Sequence, residues 1–165
     1  MPGNTLARAQ TGCVVYKMNF YTRETPPGVK LLGENRLMCS GSRDLDIDVY
    51  YSYVSRLMTA ARLKWNPTML IHGGAVGVDS MCDSWARSND LDTWLFKPEY
   101  DKFPKWEAPK VRNYEMVVSS TCAVVLWSGF SGGTSHALDA LLHEKKPFLL
   151  WDLSRKQDYF IPVNC

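Results

Sequence analysis

Three glycine-bearing segments stand where a short apolar run gives way to a helical pattern: Gly41-Ser42-Arg43, Gly73-Gly74-Ala75-Val76-Gly77 and Ser131-Gly132-Gly133-Thr134. Glycine lets a backbone approach an oxyanion closely, and the first amides of a helix carry a partial positive charge, so such turns can hold a phosphate or a carboxylate. Any one of them could exist only because a strand-to-helix corner needs glycine for its geometry. Three in one chain favour a shared anion site. None matches GxGxxG or GxxxxGK[ST], which argues against an ordinary dehydrogenase or NTPase.

Side chains around these turns extend the chemistry. Arg112 stands at the start of a predicted helix, where a cation is unfavourable unless an anion lies close, so it reads as a phosphate ligand or as an arginine paired with Glu115 or Glu107. Arg43 has the same two readings. Asp79 falls in the first turn after Gly77 and is read first as a helix cap, then as a ribose-hydroxyl ligand. Ser131 and Thr134 are hydroxyl donors to phosphate or ordinary caps. His136, in the first turn after Gly133, is an acid, a base or a hydrogen-bonding group for ligand, or else a histidine without a role. His72, ending an apolar run, reads as a structural histidine. Tyr100, Phe103 and Trp106 alternate with Lys97, Lys102, Lys105 and Lys110, a mixture that could cover a ligand or stack bases.

Elements that position these residues follow from the hydrophobic pattern. Short apolar runs alternate with amphipathic stretches from Arg36 onward, the mark of a parallel sheet with crossover helices. Leu37–Cys39, Thr68–His72, Thr93–Phe96, Cys122–Trp127 and Phe148–Trp151 read as five strands. Helical faces are given by Tyr50, Tyr53, Val54, Leu57, Met58 and Ala61; by Val78, Met81, Cys82, Trp85 and Ala86; and by Ala137, Leu138, Leu141 and Leu142. A further helix is read over Val111–Ser119, after a long loop from Lys97 to Lys110. The fold class is therefore α/β: a Rossmann-like three-layer α/β/α sandwich with a mainly parallel five-stranded sheet in flavodoxin-like or LOG-like order. The glycine loops should converge on its carboxyl edge. Residues 1–35 break the alternation and are read as an N-terminal appendage, an edge strand or an arm, leaving 36–165 as the ligand-binding domain.

Composition narrows the function classes. The 165 residues are 45% hydrophobic, 22% charged and carry a formal charge of +2, enough for one core and too little basic surplus for a protein that coats a duplex. Five widely spaced cysteines without CxxC point away from a disulfide framework and toward a reducing, cytoplasmic setting, and no HExxH or His-rich set calls for a metal. No run approaches a membrane span, and Met1–Gln10 lacks an apolar core of the kind a secretion signal has.

Taken in order, Gly41-Ser42-Arg43, Gly73-Gly74-Ala75-Val76-Gly77-Val78-Asp79, Arg112-Asn113-Tyr114-Glu115-Met116 and Ser131-Gly132-Gly133-Thr134 resemble the motifs of the SLOG superfamily, the LOG-like and DprA-like Rossmann variants, in its YspA-type branch. The resemblance spans Arg36 to Trp151, about 116 of 165 residues. It implies binding of a nucleotide or nucleotide-derived ligand through Gly41, Ser42, Arg43, Gly73, Gly74, Asp79, Arg112, Asn113, Ser131, Gly132, Gly133 and Thr134. In the hydrolase branch an arginine ahead of a methionine and a glutamate after the glycine-threonine turn carry the chemistry. Arg112 and Met116 match the first; Ala137 stands where the glutamate belongs, beside His136. Pro109 also replaces a glycine usual before the arginine.

The reading that follows is a homo-oligomeric protein that binds a phosphorylated nucleotide or nucleotide-derived signal, as sensor or sequestering protein, without efficient turnover. The alternative is a nucleoside monophosphate phosphoribohydrolase using Arg112, with Glu115 or His136 as candidate catalytic groups. DprA-like binding of single-stranded nucleic acid is placed third, and nucleic acid is not expected as the partner. No cofactor is implied.

Overall fold

The computed structural model describes residues 35–155 and 161–163. Residues 1–34, which hold the appendage read from the sequence, lie outside the described residues. Five parallel strands form the sheet: β1 (Arg36–Gly41), β2 (Met69–His72), β3 (Asp92–Leu95), β4 (Cys122–Trp127) and β5 (Phe148–Asp152). Every residue of β2, β4 and β5 is buried. That is the pattern of strands covered on both faces, and it explains why their sequences read as continuous apolar runs. A sixth strand, β6 (Ile161–Val163), pairs antiparallel with β5 and extends the five strands read from the sequence. Three residues with a central proline are too short to show a period, so only the sheet edge reveals it.

Four helices connect the parallel strands: α1 (Ile47–Trp65), α2 (Val78–Ser88), α3 (Ala108–Ser119) and α4 (Gly132–His143). Asp46 caps α1 by accepting the Asp48 amide at 2.7 Å, and Asn66 ends it in a left-handed conformation at φ 46°. α3 begins three residues earlier than read, because Pro109 in the first turn has no amide that the helix needs. α4 begins at Gly132, with Ser131 as its cap.

Strand order is β3-β2-β1-β4-β5-β6, the doubly wound arrangement and not the flavodoxin alternative. Alternate side chains of each strand feed two cores. Leu37, Cys39, Leu70, Val124 and Leu126 pack with Val54, Leu57, Met58 and Ala61 of α1 and Met81, Cys82 and Trp85 of α2. Met38, Ile71, Ala123, Val125 and Trp127 pack with Met116 and Val117 of α3 and Ala137, Leu138 and Leu141 of α4. Ala140 joins that second core, while Leu142 is only partly buried. The α/β/α sandwich is thus two helices against each face.

Candidate functional site

The chain leaves β1 toward β3, then returns to β4 on the other side of β1. The loops after β1 and β4 therefore diverge, one rising to each face, and leave a crevice between them at the carboxyl edge. An open cleft lies there, lined by Ser40, Gly41 and Arg43 from the end of β1 and its loop, Ala75 and Asp79 from the β2–α2 turn, Arg112, Asn113 and Met116 from α3, and Ser131, Gly133 and Thr134 at the start of α4. Topology thus brings together all four of the sequence segments singled out.

The glycines of these segments divide into three kinds. A Cβ on Gly41 would stand 2.4 Å from Val78 Cγ2 and 2.6 Å from the Leu126 carbonyl, so this glycine lets the start of α2 lie against the sheet. A Cβ on Gly73 would stand 2.5 Å from Arg112 Nη1. These two serve the packing of the protein itself. Gly74 and Gly77 hold φ of +69° and +82°, which the turn demands. Gly132 and Gly133 differ: a Cβ on either would meet nothing within 4 Å, and neither has a positive φ. Both are exposed, and no acceptor among the described residues takes their amides, as expected for the first turn of a helix. The Ser131 hydroxyl takes the Thr134 amide at 3.4 Å and the Thr134 hydroxyl at 3.1 Å.

Behind this open turn lies a buried polar seam. Arg112, 5% exposed, donates from Nη1 to the Gly73 carbonyl at 2.9 Å and to the Phe96 carbonyl at 3.3 Å, and from Nε to Asn113 Oδ1 at 2.8 Å. Asn113 in turn donates to the Gly133 carbonyl at 3.4 Å. Arg112 is therefore the pin that ties the ends of β2 and β3 to α3, held by backbone carbonyls and Asn113. Asp79 does not cap α2; its Oδ2 reaches back to accept the amides of Gly73 at 3.1 Å and Ala75 at 3.2 Å. Burial raises its pKa above the ordinary carboxylate value, against the opposing pull of the Ala75 amide, His72 and Arg112.

Several sequence candidates sit elsewhere. Ser42 is fully buried, donates to the Ser128 hydroxyl at 2.9 Å and accepts the Ser128 amide at 2.9 Å, so it joins the β1 and β4 loops and does not line the cleft. Gly74 is exposed outside the lining, with its amide on His72 Nδ1 at 3.1 Å. His72 is a structural histidine, its Nε2 3.0 Å from Asp83 Oδ1. Glu115 is buried on α3 and His136 half-buried on α4, both outside the lining, so the catalytic roles considered for them find no support from position. Burial, with Lys110 nearby, pushes the His136 imidazole down to about 4. Ala137 is wholly buried in the α3–α4 core, so Ala137→Glu would bury a carboxylate among apolar side chains and would not place it in the cleft. Asp79 is the one carboxylate lining the cleft among the described residues, and it is engaged by the loop amides.

Sequence reasoning missed Ser40, Ala75 and Met116 as lining residues; the first two adjoin glycines that were singled out and Met116 stands one helical turn after Arg112, which was the available signal. Arg43 is exposed at the cleft wall. Among the described residues, no three His, Cys, Asp or Glu side chains group as a metal would require, and no helix is long and apolar enough to cross a membrane. Cys39, Cys82 and Cys122 are buried free thiols.

No protein-family model matches the chain, and no curated protein does. Among solved structures it is similar to the X-ray structure of DNA processing protein A (DprA) from Streptococcus pneumoniae, with a TM-score of 0.56 and 16% identity. The match covers 73% of this chain and 51% of that one, so the chain spans about half the length of that protein. The likeness shows the fold, a Rossmann-like α/β sandwich of the kind DprA has. It also corrects one expectation: the ranking that set nucleic acid aside rested on a net charge of +2, yet a DNA-processing protein carries this fold.

Proposed function

We propose that the cleft binds the phosphate of a nucleotide, presented either as a free nucleotide or within a nucleic-acid strand, and holds it without cleaving the glycosidic bond. The observation that carries this reading is the Gly132-Gly133 pair. Neither packing nor backbone conformation requires glycine there, yet both stand exposed at the amide end of α4, beside Arg43 at the switch point of the sheet. Two amides unpartnered among the described residues, a helix dipole and an exposed guanidinium make an anion cradle that glycine leaves open to close approach.

The donor set supports a reading without turnover. An oxocarbenium-like ribosyl centre needs a carboxylate able to face it, and Asp79 spends an oxygen on two loop amides while Ala137 faces the core. Two kinds of ligand share the phosphate chemistry, and one experiment separates them. Calorimetric titration is run with adenosine 5′-monophosphate, with inorganic phosphate as competitor, and with a single-stranded oligonucleotide, and the recovered monophosphate is analysed by chromatography. Saturable binding that phosphate competes away supports the reading, and the relative affinities tell free nucleotide from strand. Failure of every phosphate-bearing probe to bind, or release of free base, overturns it.

A further inference from the structure

Trp85, Trp94, Trp127 and Trp151 are buried, whereas Trp106 is 69% exposed. A single exposed indole needs no explanation by itself, but its alignment with the cleft does. The Glu107 and Ala108 amides bond to the Pro104 carbonyl and the Val111 amide to the Glu107 carbonyl, so the turn carrying Trp106 winds straight into α3. Trp106, Lys110 and Asn113 then follow at spacings of four and three residues, which puts them in one row. Both ends of the row are fixed. Lys110 Nζ stands 5.9 Å from the centre of the Trp106 ring, and Asn113 donates to the carbonyl of Gly133, in the phosphate cradle.

From Trp106 to Asn113 the chain rises about 10 Å, comparable with the reach of a nucleotide from its phosphate to the far side of its base. The bond from Asn113 to the Gly133 carbonyl sets this end of the row against the first turn of α4. Phe130, 82% exposed, stands in the turn that leads into α4. A phosphate seated at Gly132-Gly133 would therefore have its sugar beside Asn113 and its base directed along a surface that ends in an indole.

We propose that the face of α3 running from Asn113 through Lys110 to Trp106 is the nucleobase subsite of the phosphate cleft, with the Trp106 indole as the surface on which the base stacks. This rests on the phosphate reading above and deepens it: the ligand is recognised as a nucleotide and not as a phosphate monoester in general. The Lys110 ammonium, at the outer range of a cation–π contact, is placed to yield to the base or to lie across it. Stacking tolerates any base, because each has a π-face, and favours a purine for its larger area.

The test compares adenosine 5′-monophosphate with ribose 5-phosphate, which has the same phosphate and sugar and no base, on the full chain and on Trp106→Ala and Trp106→Phe. Adenosine 5′-monophosphate should bind the unmodified protein about tenfold more tightly than ribose 5-phosphate. Trp106→Ala should erase that difference while leaving ribose 5-phosphate binding as it was, and Trp106→Phe should keep most of it. Melting temperatures should be unchanged, since the side chain is in water. Equal affinities of the two ligands for the unmodified protein, or an adenosine 5′-monophosphate affinity indifferent to Trp106→Ala, overturn the subsite while the phosphate reading stands. Binding of neither ligand overturns the phosphate reading, and this one with it.

Discussion

Glycine to alanine at two places, Gly133 in the cleft and Gly73 behind it, should separate folding from binding. At Gly133 a new Cβ meets nothing within 4 Å and φ is not positive, so the protein tolerates the methyl, and lower backbone entropy in the unfolded chain should add roughly 0.4–1 kcal/mol of stability. At Gly73 the same methyl would stand 2.5 Å from Arg112 Nη1, 2.8 Å from Arg112 Cζ and 3.2 Å from Asp79 Oδ2. An arginine tip would ordinarily swing away. Arg112 is buried and held by the Gly73 and Phe96 carbonyls and by Asn113, so displacing it forfeits at least one charge-assisted hydrogen bond, about 1.5–3 kcal/mol. Calorimetric melting should therefore show Gly133→Ala level with or above the unmodified protein and Gly73→Ala lower by roughly 3–12 °C. Titration with adenosine 5′-monophosphate should show about a tenfold or greater loss for Gly133→Ala if, as the phosphate reading requires, glycine is there to let the ligand approach the backbone closely. A Gly133→Ala protein that binds normally refutes the assignment of the open glycine pair to ligand. A Gly73→Ala protein with an unchanged melt refutes the account of Arg112 as a held pin.

Arg112→Ala should destabilise the fold by about 2–4 kcal/mol, since it leaves buried carbonyls at Gly73 and Phe96 without their donor; a denaturant midpoint equal to that of the unmodified chain would contradict this. Ser42→Ala should cost about 1–2 kcal/mol, read by the same denaturation, by removing the hydroxyl that both donates to and accepts from Ser128 across the β1 and β4 loops. His136 titrates near 6.5 in the unfolded chain and at about 4 when folded, so its contribution to stability is present above pH 6.5 and is lost as the pH falls toward 4. The loss amounts to at most about 3 kcal/mol, and in denaturation at pH 7 and pH 4.5 the His136→Gln protein should lack that part of the acid sensitivity. Asp79 works in the opposite sense: its raised pKa gives stability that is full below the ordinary carboxylate value and is lost as the pH rises through the folded one, so Asp79→Asn should gain on the unmodified protein as the pH climbs above 4.

The sequence alone determined the α/β sandwich, because continuous apolar runs such as Cys122–Trp127 can only be central strands, and faces such as Val54, Leu57, Met58 and Ala61 can only be helices laid on them. It also marked the segments that meet at the carboxyl edge, since glycine before a helix is a local signal that survives without knowledge of the fold. What each residue does there was decided by tertiary structure. Gly73 and Gly133 have the same side chain and similar neighbours in sequence, yet one makes room for a guanidinium contributed by a helix 39 residues away and the other faces open space. Arg112 looked like a ligand because its charge sits near a helix start; only the approach of β2 and β3 supplies the carbonyls that hold it. Ser42 and Ala137 lie at motif positions and point into the protein, a direction fixed by the strand pleat and by the rotation of α4, neither of which a motif encodes. Local pattern therefore reported where the chain turns and what could bind an anion, while the separation of packing residues from binding residues came from contacts between segments distant in sequence, which no local pattern contains.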